Sequence, residues 1–140
     1  MSSLVDVERL RALSLFGELD HHDLSQLARW VREAEFPAGE VLFEQGAMPS
    51  DLFIIEEGSV RVVRDGEQVA TLGPGDVVGE MALLKLERRW ASVTAIEHLR
   101  AVALGADDLA SMTQEMPELA DRLREIMLRR QRDNTRGGPA

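Results

Sequence analysis

Apolar residues recur at helical spacing towards both ends of the chain and in short β-rich runs through its middle. Leu4, Val5, Leu10, Leu13 and Leu15 predict a short amphipathic helix over residues 4–15. A break follows at Phe16-Gly17-Glu18-Leu19. Asp20 stands where an N-cap would, with Asp23 as an acid in the first turn, and Leu24, Leu27, Ala28 and Val31 line one face of a second helix. Pro37 disfavours a helical residue ahead of it, so helices are expected over 4–35 and no further.

After Pro37 the period changes. Glycines at 39, 46, 58, 66, 73, 75 and 79 punctuate runs that read as strands: Val41-Leu42-Phe43, Leu52 to Ile55, Val60 to Val63, Val69 to Leu72 and Val77-Val78. Two more apolar runs, Trp90 to Ile96 and Leu99 to Leu104, complete the series. Asp65-Gly66 is a strong hairpin signal, and Gly73-Pro74-Gly75-Asp76 is a second tight turn. Short strands at regular spacing predict a sandwich, barrel or roll over residues 36–106. Helical spacing returns from Asp107, with Asp107 or Asp108 as cap and Pro117 in the first position of a last helix. Leu119, Leu123, Ile126 and Met127 give that helix an apolar face. The expected fold is mainly β with flanking helices: one domain over 1–133, with helices over 107–132 and a disordered tail over 134–140.

The 140 residues suit one domain, and 44% hydrophobic content can supply its core. With no cysteine there is neither a disulfide framework nor a thiolate metal site. The start is not that of a secretory signal, and no run reaches the length of a membrane span, so a cytoplasmic protein without membrane contact is expected. A net charge of −9 repels nucleic acid unless basic residues concentrate. The basic-rich stretch at Arg122, Arg124, Arg129, Arg130, Arg132 and Arg136 is accounted for by the preference of helix C-termini for cations. His21, His22 and His98 lack metal-ligand spacing, and no nucleophile motif is present, so neither a metal, a cofactor nor an enzyme activity is expected.

The chemistry concentrates in residues 78–93, Val-Gly-Glu-Met-Ala-Leu-Leu-Lys-Leu-Glu-Arg-Arg-Trp-Ala-Ser-Val. Gly79 permits a tight turn, and backbone N–H groups from Glu80 to Leu83 at a helical start would face an anion. An arginine adds a planar fork that fits phosphate oxygens. A carboxylate only accepts hydrogen bonds, so Glu80 suits a sugar hydroxyl rather than a phosphate. Together these groups describe a site for a ribose phosphate. Taken singly, the same residues read as a surface salt bridge contributing about 0–1 kcal/mol.

Several segments in order decide between these readings. Phe36 to Gly46, Phe53 to Val62, Leu72 to Leu84 and Arg89 to Val93 resemble the cyclic-nucleotide-binding domain family, which includes the catabolite activator protein, protein kinase A regulatory subunits and cyclic-nucleotide-gated channels. The resemblance covers roughly residues 12–130. It implies a double-stranded β-helix (a jelly-roll-like β-roll) with a phosphate-binding cassette at 78–93. It further implies that Glu80 accepts the ribose 2′-hydroxyl and Arg89 pairs with the cyclic phosphate. Backbone N–H groups of Met81, Ala82 and Ala91 would face that phosphate, and Gly79 would shape the turn. Phe53, Val62, Leu72 and Val93 fall to the roll core.

Trp90 departs from the small or hydroxylated residue usual after the cassette arginine, and its ring either stacks on the purine, flanks the phosphate or blocks the pocket. Absence of a threonine there favours cAMP over cGMP. Arg88 would replace Arg89 if the loop register slipped. Leu123 and Met127 either close over the base as a lid or simply pack on the roll. The expected function is a non-catalytic cyclic nucleotide sensor whose partners are the nucleotide, an unidentified effector protein and a second copy through the C-terminal helix. One alternative is a ligand-free scaffold or dimerisation module. Another is the sensor fragment of a helix-turn-helix regulator, a motif that the residues after Asp133 are too few to form.

Overall fold

The structure is a computed structural model that describes residues 5–80 and 87–133, with side chains as far as Arg129. Among the described residues, eight strands form two antiparallel four-stranded sheets. The first joins β1 (Arg32–Phe36), β8 (Leu99–Gly105), β3 (Asp51–Glu57) and β6 (Val77–Val78) in that spatial order. The second joins β2 (Val41–Phe43), β7 (Ser92–Ala95), β4 (Val60–Arg64) and β5 (Glu67–Leu72). This is the expected roll. The Asp65-Gly66 turn joins β4 to β5 with both residues at positive φ, 52° and 82°, the geometry a two-residue hairpin requires.

The apolar runs of β3 and β8 are continuous because both of their faces are buried. Phe53 and Ile55 of β3, with Leu99, Ala101 and Ala103 of β8, face the second sheet, where they meet Val60, Val62, Val93 and Ala95. Leu52, Ile54, Val102 and Leu104 face the other way, against the helices. The molecule therefore has three layers, helices on sheet on sheet, with an apolar core in each gap. Each fully buried Leu, Ile or Val stabilises the fold by about 1.5–3 kcal/mol.

The helical layer comprises α1 (Val7–Arg11), a 3-10 turn at Ser14–Phe16, α2 (His21–Leu27), α3 (Ala106–Glu115) and α4 (Pro117–Asp133). Asp6 and Asp20 cap α1 and α2, each accepting from the backbone N–H three residues on, at 2.9 and 2.8 Å. Three boundaries differ from expectation. The first helix stops at Arg11, because the 3-10 turn brings Leu15 and Phe16 together into the core. Residues 32–36 form strand β1 rather than the end of a helix, so the roll begins at Arg32; the β8 backbone supplies a full antiparallel ladder from Arg32↔Ala103 to Phe36↔Leu99. Asp107 and Asp108 lie in the first turn of α3, whose N-cap is Gly105. Residues 134–140, expected as a disordered tail, lie outside the described residues.

Candidate functional site

Strand β6 runs out at Val78 and the chain turns at Gly79, whose φ is +88°. A Cβ there would stand 2.6 Å from Nη1 of Arg89 and 3.0 Å from the Asp51 carbonyl oxygen, so both conformation and space demand glycine. Glu80 follows in helical conformation. Residues 81–86 lie outside the described residues, among them Met81, Ala82 and Leu86. The chain returns in an extended segment anchored at Arg89: its N–H donates to Ala47 O and its carbonyl accepts from Gly46 N, both at 2.8 Å.

That anchorage turns the Arg89 side chain inward. Nη1 donates to the Gly79 carbonyl at 3.0 Å and Nη2 to the Asp51 carbonyl at 2.5 Å. The guanidinium carbon lies 3.9 Å from the centroid of the Phe43 ring. Arg89 is 3% exposed and Glu80 is 7% exposed; among the described residues these are the buried charged side chains. Burial lowers the Arg89 pKa, and the nearby Asp51 and Glu80 carboxylates work against that shift. An arginine so displaced still keeps its proton at neutral pH.

The hydrogen-bond count defines the chemistry. A guanidinium has five N–H donors. Two are given to carbonyls, and Nε is buried with no partner among the described residues. Donors of this buried guanidinium that have no partner among the described residues could meet an anion, and a phosphate oxygen would interact with them more strongly there than at the surface. Glu80, one residue past the turn, adds an acceptor that cannot serve the same anion.

The structure thus brings Gly79, Glu80, Arg89 and the buried Ala91 together. Arg88 is exposed and donates to the Gly46 carbonyl at 3.0 Å, so the loop register puts Arg89 inside and gives Arg88 no role in its place. Trp90 is half-buried against the roll core, with the Arg64 guanidinium carbon 4.2 Å from its ring centroid. Phe43, not Trp90, covers the Arg89 guanidinium. Leu123 and Met127 are not at the site: at 2% and 3% exposed they belong to the helix-facing core with Leu15, Phe16, Leu52 and Ile54. Their packing role is the one observed, because α4 lies on the outer face of the first sheet. Phe43, Asp51 and Arg64 were not singled out from the sequence. Asp51 acts through its backbone carbonyl, which leaves no trace in residue type.

No helix among the described residues is long and apolar enough to cross a membrane. Nor do they hold a group of three or more His, Asp or Glu that could bind a metal ion.

A sequence profile described as "Cyclic nucleotide-binding domain" matches residues 33–116, and the chain belongs to that family. A CRP-like cAMP-activated global transcriptional regulator of Mycobacterium tuberculosis is 29% identical over 130 residues, 89% of this chain and 58% of that protein. A cyclic nucleotide-gated potassium channel of Rhizobium etli is 34% identical over 128 residues, 91% of this chain and 34% of the channel. Among solved structures, the regulatory subunit of a cAMP-independent protein kinase A from Trypanosoma brucei superposes with a TM-score of 0.79 at 26% identity, over 90% of this chain and 44% of that one. The chain therefore spans about a third to three fifths of the length of these curated relatives. They include a transcriptional regulator, so family membership lends no support to the expected absence of nucleic acid.

Proposed function

We propose that this domain is a cyclic nucleotide sensor that takes cAMP in preference to cGMP and performs no chemistry on it. The observation that carries the reading is the burial of Arg89 and Glu80 on either side of one glycine turn. A buried charge is costly unless it is paired or hydrogen-bonded; Arg89 has two carbonyls and the nearby carboxylates of Asp51 and Glu80, and its Nε is left without a partner among the described residues. In the proposed complex the free donors of Arg89 bind the cyclic phosphate, with the Ala91 N–H and those of Met81 and Ala82 beside them. Glu80 accepts from the ribose 2′-hydroxyl. Trp90 in place of a guanine-contacting threonine favours adenine. The donors of Arg89 and the carboxylate of Glu80 are the groups that binding a ribose phosphate requires. Output passes to an effector protein, with α4 as the moving element and as the contact for a second copy; DNA contact by this chain is not part of the proposal.

A second reading has one specific support. The T. brucei neighbour is described as cAMP-independent, so a chain of this fold can serve without responding to cAMP. A ligand-free scaffold or dimerisation module is the corresponding role here.

Calorimetric titration with cAMP and cGMP separates the two. The sensor reading predicts saturable heat with the parent chain and a loss of about 2–5 kcal/mol of binding in Arg89→Ala. Equal affinity in parent and variant removes the phosphate role. No heat with either nucleotide, together with concentration-dependent dimerisation, favours the scaffold.

A further inference from the structure

We infer that Arg64 is a positioning residue for the nucleotide site: its guanidinium holds the Trp90 indole against the β4 side of the roll and so keeps that ring out of the anion site beside Arg89. The inference rests on the sensor reading and concerns the same site.

Trp90 is the chain neighbour of both Arg89 and Ala91, so its large ring must leave the backbone within reach of the proposed phosphate. A staggered side chain has three wells at χ1, and the surroundings choose among them. Here the choice is visible. The β4–β7 register ends at Val63↔Ser92, and continuing it brings Arg64 level with Ala91, next to Trp90. The Arg64 guanidinium carbon then lies 4.2 Å from the indole centroid, inside the range for a cation on an aromatic face.

The base of Arg64 is itself braced. Gln45 Nε2 donates to Asp65 Oδ1 at 2.8 Å, and the Asp65 N–H donates to Gln45 Oε1 at 2.9 Å. The Gln45 N–H donates to Ser92 Oγ at 2.9 Å. The tip of the β4–β5 hairpin is thereby tied to the loop after β2 and to the first residue of β7. Asp65 Oδ2, 3.9 Å from Arg64 Nε, also faces the cation. Arg64 and Trp90 are thus held at fixed roots while Phe43 occupies the face of Arg89 that a tryptophan could otherwise take.

Affinity for a ligand falls in proportion to the fraction of chains in the competent arrangement. A half-exposed cation–ring contact changes the ratio of the two arrangements by about two- to fivefold. Chains carrying Trp30→Phe keep Trp90 as their single tryptophan and serve as the parent. Without nucleotide, Arg64→Ala is expected to raise acrylamide quenching of Trp90. Arg64→Lys keeps the charge but not the planar fork, and should follow it. Titrated with cAMP, Arg64→Ala should bind more weakly than the parent, by at most about fivefold, and that loss should vanish in the Trp90→Ala background. Unchanged quenching overturns the inference, as does a loss that persists without Trp90, since Arg64 would then act on the ligand by its charge alone. A parent that binds neither cAMP nor cGMP contradicts the sensor reading, and the role of Arg64 in binding falls with it; quenching still reports whether the stack exists.

Discussion

Arg89 explains why Gly79 cannot be anything else. The residue needs a positive φ, and its missing Cβ leaves the space that Nη1 of Arg89 occupies. Gly79→Ala is therefore expected to lose about 1–3 kcal/mol of stability from backbone strain, measured by urea denaturation, and to weaken nucleotide binding further by displacing the guanidinium. Glu80 has a separate signature. If its carboxylate takes the ribose 2′-hydroxyl, the parent should prefer cAMP to 2′-deoxy-cAMP by about 1.5–3 kcal/mol, and Glu80→Ala, which removes the acceptor, should erase most of that preference in competition titrations. Equal discrimination in both proteins would remove Glu80 from the sugar. Gly79, Glu80 and Arg89 were legible in the sequence because they lie within one short stretch whose residue types carry the chemistry. Phe43, Asp51 and Arg64 were not. They reach the site from three other strands, through sheet register and, for Asp51, through a carbonyl that every residue possesses.

Among the elements, legibility followed burial. Strands β3 and β8 announce themselves by runs apolar on both faces, and the β4–β5 hairpin by Asp65-Gly66. Strand β1 reads Arg-Glu-Ala-Glu-Phe and lies at a sheet edge, only half-buried, so little in its pattern distinguishes it from the end of a helix. Its partner β8, distant in sequence, supplies the missing information, from Arg32↔Ala103 to Phe36↔Leu99. Helix α4 shows which of its contacts hold it. Leu123 is 2% exposed in the helix-facing core, and Leu123→Ala should cost about 2–5 kcal/mol. The ion pairs of the same helix lie at the surface, Arg122 with the partly buried Asp23 and Arg129 with the exposed Glu18, and removing either arginine should cost about 1 kcal/mol or less. Chemical denaturation of the three variants checks the order; equal losses would mean that charge rather than packing fixes α4.

For the molecule as a whole, the middle strands of the first sheet belong to both cores. Strand β3 begins at Asp51, whose carbonyl receives Arg89 and whose carboxylate receives Arg32 of β1 at 2.8 Å. The next residues, Leu52 and Ile54, pack on the helices. The proposed ligand site and the helical layer thus share one strand, a sharing that the order of elements in the sequence does not reveal. The account stands or falls on the buried guanidinium meeting a phosphate. In ¹⁵N-labelled protein the Nε–H of Arg89 gives a resonance that Arg89→Lys removes, and among the described residues it is buried without a partner. Saturating cAMP should move that proton downfield and slow its exchange with water, while adenosine, which lacks the phosphate, should leave it in place. A resonance unchanged at saturating cAMP would contradict the account.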